Sequence, residues 1–420
     1  MRTILIVLLA VGSAPAQQLI PHTVTLPNKT ITLCLPAPFT IDVAATGLHR
    51  PRFFAESPDH RIFVTEMHDL SDNQLGAIDI LTSWNPQTHT FTGRTPYLQH
   101  LHNPNNLAFY TDPATHQIWL YTALTDRLVR YKYSPGDNAP TSAPEVLATF
   151  PAYGLNYKYG GWHLTRTVAF APLHGKTSLY ITVGSSCNAC TEKEDVRAAL
   201  LVSGPDGKNQ RILAHGLRNA VDLQYIPSLD GGALFASNMG DDQLGDRAPE
   251  DTFFELDSNA SPSAPGLNYG WPTCYFENGT PHPDPTVTHP DPLHPVFPPP
   301  PAGPPPVQYD CAKVPAAYTT FMAHSSPLGL AFFDATNHAL ANTFLVALHG
   351  AGHPRIGTGY RIVRFTPTAH HPQNFILGFL TQQAGEPHVN GRPCGLLQTA
   401  PDTFLLTDDF NGVIYSIHPN

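Results

Sequence analysis

Histidine, arginine, asparagine and aspartate recur in this chain at the edges of short apolar runs. Arg50, Arg52, Asn103, Asn105, His163, Arg166, Arg218, Asn219 and Arg392 stand just before or at the start of such runs. Ser185, Asn188, Asn238, Asp241, Asp242, His349, Asp408 and Asp409 stand just after others. Only 13% of the 420 residues are charged, against about 25% in an average soluble domain, so this concentration asks for a reason. Several guanidinium forks in one place suit a planar polyanion, because each can grip a carboxylate by two parallel hydrogen bonds. Aspartates beside backbone carbonyls suit a hard cation such as Ca²⁺. Imidazole, with an ordinary pKa near neutrality, suits proton transfer.

Whether these side chains meet depends on the elements between them. A short core of a small or polar residue followed by apolar ones recurs six times, starting at 53, 106, 167, 222, 329 and 395. A second apolar run follows each, at 61–66, 117–122, 178–183, 233–238, 343–348 and 403–408. A third comes at 76–81, 127–133, 198–202, 251–256, 360–365 and 412–417. Many β-branched and aromatic residues, with 44 Pro and 31 Gly as punctuation, make these runs strands. The expectation is an all-β, six-bladed β-propeller of four-stranded antiparallel blades. The last repeat ends three strands in, and residues 39–44 supply a candidate outer strand that closes it from the N-terminal side. A β-sandwich is the competing architecture. Successive strands of a blade are antiparallel, so the start of the first and the end of the second share one face. The polar residues named above therefore belong to one rim around the axis.

The net charge is -10, from 23 Lys+Arg against 33 Asp+Glu. With no Lys/Arg block, a general nucleic-acid binder is excluded. No heptad run or later membrane-length apolar stretch occurs. Residues 1–18 read as a signal peptide: Arg2, an apolar core, and Ala14-Pro15-Ala16 with cleavage near Ala16. The product is expected to be secreted or periplasmic, with residues 19–420 forming the propeller domain and a Pro-rich insertion at about 272–316. In an oxidising compartment six cysteines suggest disulfides. Cys274 with Cys311 and the local pair Cys187 with Cys190 come first; Cys34 with Cys394 remains by elimination only.

Several segments resemble the soluble pyrroloquinoline quinone (PQQ)-dependent sugar dehydrogenases, nearest the sorbosone and pyranose dehydrogenase branch. They are Trp162-His163-Leu164-Thr165-Arg166, LYITVGSSCN at 179–188, Gly216-Leu217-Arg218-Asn219, Asn268-Tyr269-Gly270-Trp271-Pro272, His324-Ser325-Ser326-Pro327-Leu328-Gly329, FLVALHG at 344–350, and Gly391-Arg392-Pro393. The resemblance spans roughly residues 41–417. It implies that His163 is the general base, with hydride passing from the same carbon to the quinone. It implies that Arg218 and Asn219 contact PQQ, Arg218 also stabilising charge during catalysis, and that Arg392 binds a cofactor carboxylate. Asn188 and His349 join the cofactor set. The carbonyls of Gly240 and Asp241 would hold the catalytic Ca²⁺, and Asp242, Glu250, Asp251 and Tyr269 lie where the family can hold a second one. Three positions depart from the glucose dehydrogenase branch: His349 replaces a Lys, Ser185 an Asp, and Cys394 an Arg. The Ser185 departure is expected to remove a partner of His163. Arg52 and Arg355 are candidate replacement cations.

The function expected is oxidation of an aldose, pyranose or hydrated sosone to lactone or acid. Electrons would pass to an external acceptor, a cytochrome or a quinone. A Ca²⁺-dependent lactonase-like hydrolase and a non-enzymatic glycan- or protein-binding propeller stay open as alternatives. The oligomeric state is not readable from the sequence.

Overall fold

The computed structural model describes residues 18–152, 163–242, 244–256, 267–285, 287, 309–334 and 338–420. The expected leader with Ala16, Trp162, and most of the Pro-rich insertion lie outside the described residues. Apart from two short 3-10 turns, the described elements are strands. Six sheets of four antiparallel strands follow one another in chain order. Their innermost strands are Pro51–Glu56, Leu107–Thr111, Arg166–Leu173, Ala220–Ile226, Pro327–Phe333 and Pro393–Ala400. We number the blades 1 to 6 in that order. Blade 3 also gains a short parallel strand, Leu267–Asn268, on its outer edge. Among the described residues, no helix is long and apolar enough to cross a membrane.

The second strands Ala233–Asn238, Thr343–Leu348 and Thr403–Asp408 coincide with the expected runs. The reason is burial: a blade is covered on both faces by its neighbours, so its middle strands read as apolar throughout. Every residue of Ala233–Asn238 and Thr343–Leu348 is buried. Between blades 4 and 5, the rings of Phe235, Phe253, Phe344 and Phe365 pack with centroids 5.0 to 5.5 Å apart. Each buried ring of this kind contributes about 1.5–3 kcal/mol.

Neighbouring inner strands are not hydrogen-bonded edge to edge, so their carbonyls need other partners. A hydroxyl near the end of a second strand repeatedly supplies one. Thr65 Oγ1 donates to the Asn105 carbonyl (2.7 Å), Thr182 to Ala220 (2.8 Å), Ser237 to Leu328 (2.5 Å) and Thr407 to Arg52 (2.7 Å). Each bond ties one blade to the next, and the last joins blade 6 to blade 1. The ring is closed a second time by Phe39–Ala45, which pairs antiparallel with Val413–Pro419 as the outer strand of blade 6. A hairpin that the sequence reading did not find, Leu19–Thr25 with Thr30–Pro36, packs its Val24, Ile31, Leu33 and Leu35 into the core shared by blades 5 and 6.

Cys187–Cys190 and Cys274–Cys311 are disulfides. The pairing of Cys34 with Cys394 is not formed. Cys34 sits on the outer hairpin, bridged to Leu377, whereas Cys394 is fully buried in a plug with Phe53, Val221, Leu328 and Met239. Elimination ignored that two leftover thiols can belong to different layers of the fold.

Candidate active site

The chain enters each blade from the same face, and residues there take unusual backbone conformations. Arg50, Asn103, His163 and His324 all have positive φ, between 42° and 62°. Such conformations cost a non-glycine residue of order 1 kcal/mol or more and are kept where the surroundings fix them. Their effect is to turn the chain sharply into the inner strand while the side chain stays on the rim.

His163 lies three residues ahead of Arg166, whose Nη1 donates to the His163 carbonyl at 2.9 Å. Its Nδ1 is 2.7 Å from Ser185 Oγ. The Ser185 hydroxyl donates its proton to the Cys187 carbonyl, also at 2.7 Å. A hydroxyl has one proton, so toward His163 it accepts. Nδ1 therefore carries the imidazole proton and Nε2 the lone pair. Burial, and after it the charge of Arg218, hold His163 well below its ordinary pKa, so the ring is neutral at pH 7. The expected loss of a partner for His163 is thus corrected: Ser185 takes that place without charge. Gly184 permits the approach, since a Cβ there would lie 2.6 Å from both His163 Cβ and Asn219 Oδ1.

Arg218 is 3% exposed and its fork is held on several sides. Nε donates to the Asn188 carbonyl (2.8 Å), Nη2 to Asn188 Oδ1 (2.7 Å) and Nη1 to the Gly240 carbonyl (2.6 Å). Asn188 is itself fixed by the Cys187–Cys190 loop and by Trp271, whose Nε1 donates to its carbonyl (2.9 Å). Asn219 accepts from Thr165 Oγ1 at 2.8 Å and donates to Met239 Sδ at 3.3 Å.

Across the axis stands a second arc. Asp409 is fully buried and takes Arg52 Nη1 on Oδ2 (2.8 Å), Arg50 Nη2 on the same oxygen (3.5 Å) and His349 Nε2 on Oδ1 (2.8 Å). Burial opposes its ionisation, but His349, Arg50 and Arg52 together hold it well below the usual carboxylate range. Arg392 Nη1 lies 3.5 Å from His349 Nδ1. A guanidinium only donates, so Nδ1 bears the lone pair and the proton sits on Nε2. Burial keeps His349 below its ordinary pKa. Arg392 also donates to the carbonyls of Gly350 (3.0 Å) and Ala351 (3.1 Å) and to Tyr360 Oη (2.7 Å). Asn105 joins the arcs: its Oδ1 accepts from Arg52 (3.5 Å) and its Nδ2 donates to Thr167 Oγ1 (2.9 Å) beneath His163.

All five expected side chains, His163, Arg218, Asn219, His349 and Arg392, thus lie on the same rim, with Asn188 and Arg52 among them. Arg355 does not. It is exposed on a loop and paired with Glu386 at 3.1 Å. The expected metal residues separate. Asp242 faces His324 Nδ1 (3.1 Å) and Arg218 Nη2 (3.4 Å). Despite burial it is held down to about 2 by the His324 bond and Arg218, while that bond, opposed by burial, carries His324 up to about 9. Asp251 accepts the backbone N–H groups of Gly240 and Ser326, both at 2.8 Å. Glu250 caps Gly279 N–H (2.8 Å), and Tyr269 packs edge-on to Phe254. Asp241 is 4% exposed and its Oδ2 has no hydrogen-bond partner. Burial, and then the adjacent Asp284 carboxylate, push its pKa well above the usual value.

Sequence reasoning gave no role to Asp409, His324 or Asp284. Asp409 carried a signal, as the second acid after the last second strand. His324 opens a quoted segment. Asp284 lies in the Pro-rich insertion and offered none.

The residues fit PQQ and Ca²⁺ to different degrees. Three arginines against one carboxylate leave an excess of positive charge on the rim, and the Nε atoms of Arg50 and Arg52 are buried without partners, which suits a polycarboxylate. A divalent cation suits the orphaned Asp241 oxygen beside Asp284. The Gly240 carbonyl is occupied by Arg218.

The described ring resembles several solved structures. The holo form of the pyranose dehydrogenase PQQ domain from Coprinopsis cinerea superposes with a TM-score of 0.66 at 18% identity, covering 94% of this chain and 98% of that one. The calcium structure of the Trichoderma reesei carbohydrate-active enzyme of family AA12 gives 0.67 at 15%, covering 97% and 98%. The PQQ-bound aldose sugar dehydrogenase of Streptomyces coelicolor gives 0.55 at 16%, covering 92% and 100%. At these identities the likeness establishes the fold. An uncharacterised protein of Borreliella burgdorferi is 24% identical over 247 residues, 57% of this chain and 57% of that protein, so the match spans little more than half of the relative. The family profile described as TrAA12-like matches residues 36–420, nearly the whole described ring, and the chain belongs to that family.

Proposed function

We propose that the protein is a PQQ-dependent dehydrogenase that oxidises a sugar hydroxyl, or a hydrated sugar aldehyde, to a lactone or acid. The observation that carries this is the neutral His163, proton on Nδ1 and lone pair on Nε2, on the same rim as an arginine cluster. A substrate C–OH placed against Nε2 gives up its proton there. The imidazolium that forms keeps its Nδ1–H bond to Ser185 and is favoured by the nearby Asp242 carboxylate. Bound PQQ supplies a two-electron acceptor for the hydride leaving the same carbon. Arg50, Arg52 and Arg392 hold its carboxylates, with Asp409 and His349 fixing their positions. Arg218, oriented by Asn188, presents fixed positive charge where negative charge develops, and Asn219 flanks it. Ca²⁺ would be held at Asp241 with Asp284.

The neighbours' PQQ-bound and calcium forms support this cofactor pair. An external acceptor, a cytochrome or a quinone, would take up the electrons. Two disulfides fit an oxidising compartment, as does the leader expected at residues 1–18, and with them a secreted or periplasmic location. A lactonase-type hydrolase needs an acidic metal cluster on the axis. On the rim, Asp409 is already taken by two arginines and a histidine. The test is reconstitution of the apo-protein with PQQ and Ca²⁺, followed by reduction of an artificial acceptor dye with a panel of pyranoses and sosones. Dye reduction dependent on both additions is expected. No quinone absorbance and no reduction with any sugar would reject the reading.

A further inference from the structure

On the face opposite the rim, the junction between blade 6 and blade 1 opens into a cavity of about 610 Å³, within the roughly 300–1,000 Å³ of small-ligand sites. The turns there connect the first and second strands of each blade, so the cavity is remote from His163. One wall is aromatic. Trp84, at the lower end of Gly76–Asn85, is 41% exposed, although indole surface is normally covered. Phe91 lies against it at 4.7 Å and His89 meets it edge-on at 5.9 Å. His89 is fixed in turn by stacking on His418 of blade 6, 3.5 Å away and 12° from parallel. His418 is anchored to Asp42 of the closing strand at 2.9 Å. The platform is therefore held rigid by both blades before anything binds.

The rest of the lining is mixed: His60 and Arg61 from blade 1 and Thr399 and Thr403 from blade 6 stand among Ile62, Leu81 and Leu405, and the Arg61 guanidinium is already bound to the Asp137 carbonyl and Asn138 Oδ1, both at 2.6 Å. Among the described residues, no carboxylate lines the cavity. His60 is already paired with Glu56 through Nδ1, but an apolar occupant would cover the two threonine hydroxyls without offering them a partner. A pyranose ring satisfies both parts of the lining. Its axial C–H edges meet the electron-rich indole face, and its equatorial hydroxyls reach the threonines and His60.

We infer that this cavity is a carbohydrate-binding site separate from the catalytic rim, seating rings of a neutral pyranose chain on Trp84. Only the sugar class is shared with the function proposed above, and the test needs neither quinone nor turnover, so the two readings fail separately. The full chain is titrated with cellohexaose and with maltohexaose, following tryptophan fluorescence and heat of binding. Saturable binding of at least one chain is expected, weakened about tenfold or more in Trp84→Ala and largely kept in Trp84→Phe. Absence of saturable binding by either chain would overturn the inference. So would binding indifferent to Trp84→Ala, or an apolar naphthalene-sulfonate dye seated at Trp84 that neither sugar displaces.

Discussion

Two largely covered histidines stand on the rim, and their partners give them opposite states. His163 meets a hydroxyl whose own proton is committed to the Cys187 carbonyl, so it holds its proton on Nδ1 and bears a lone pair on Nε2. His349 meets the Asp409 carboxylate and donates Nε2–H, with its lone pair toward Arg392. Burial keeps both neutral. A neutral partner leaves a base able to take a proton; a charged one turns the ring into part of an anchor. The chain thus divides one residue type between chemistry and binding by the side chain placed behind it.

The largest break in that comparison comes from removing each ring in turn. His163→Gln should lower kcat by about 10²–10⁴, the usual worth of a general base, with quinone affinity little changed. His349→Gln should do the reverse: weaker quinone binding and near-normal kcat once the cofactor saturates. Steady-state dye reduction at several PQQ concentrations separates the two. An equal loss of kcat in both variants would erase the distinction.

Asp409→Asn comes next. It leaves Arg50 and Arg52 buried beside an uncharged amide, which costs about 3–5 kcal/mol in typical buried pairs. The sign with pH is fixed by the depressed carboxyl. In the wild type its contribution is complete above the unfolded-state pKa of about 3.9 and is lost as pH falls toward the lower folded value. Denaturant melts should therefore show a large gap between wild type and variant at pH 7 that narrows near pH 3.

Ser185 sharpens the comparison from the other side. Ser185→Ala should cost roughly tenfold in kcat by releasing the tautomer. Ser185→Asp puts a carboxylate behind His163, as behind His349, and should raise its pKa. The ring must be neutral to accept a proton, so the acid limb of the kcat profile should move to higher pH. An unmoved limb in Ser185→Asp would mean that His163 is not the titrating base. The smallest effect is expected for Gly184→Ala. Its Cβ would press on His163 and Asn219, and a loss of a few-fold in kcat with unaltered quinone affinity should follow.

Much of the ring was legible because a propeller repeats its constraints. The apolar middle strands reveal themselves six times, and the orphan strand Phe39–Ala45 was required by a last blade one strand short. The outer hairpin Leu19–Thr25 with Thr30–Pro36 escaped because it belongs to no repeat and its inward side chains alternate with polar ones. The site was half legible. Strand ends place His163, Arg218, Asn219, His349 and Arg392 on one face by topology alone. What those side chains bond to is a matter of ångströms. The substitution of Ser185 for an acid looked like a lost partner until the Cys187 carbonyl fixed its hydroxyl. Arg355 looked like a spare cation until the loop carried it outward to Glu386.

The most direct test of the account is anaerobic stopped-flow mixing of the PQQ- and Ca²⁺-loaded protein with a reactive pyranose, in wild type and His163→Gln. The account predicts equal quinone loading in both proteins, rapid bleaching of the oxidised quinone in the wild type, and bleaching at least about a hundredfold slower in the variant. Equal bleaching rates, or failure of the wild type to load quinone at all, would contradict it.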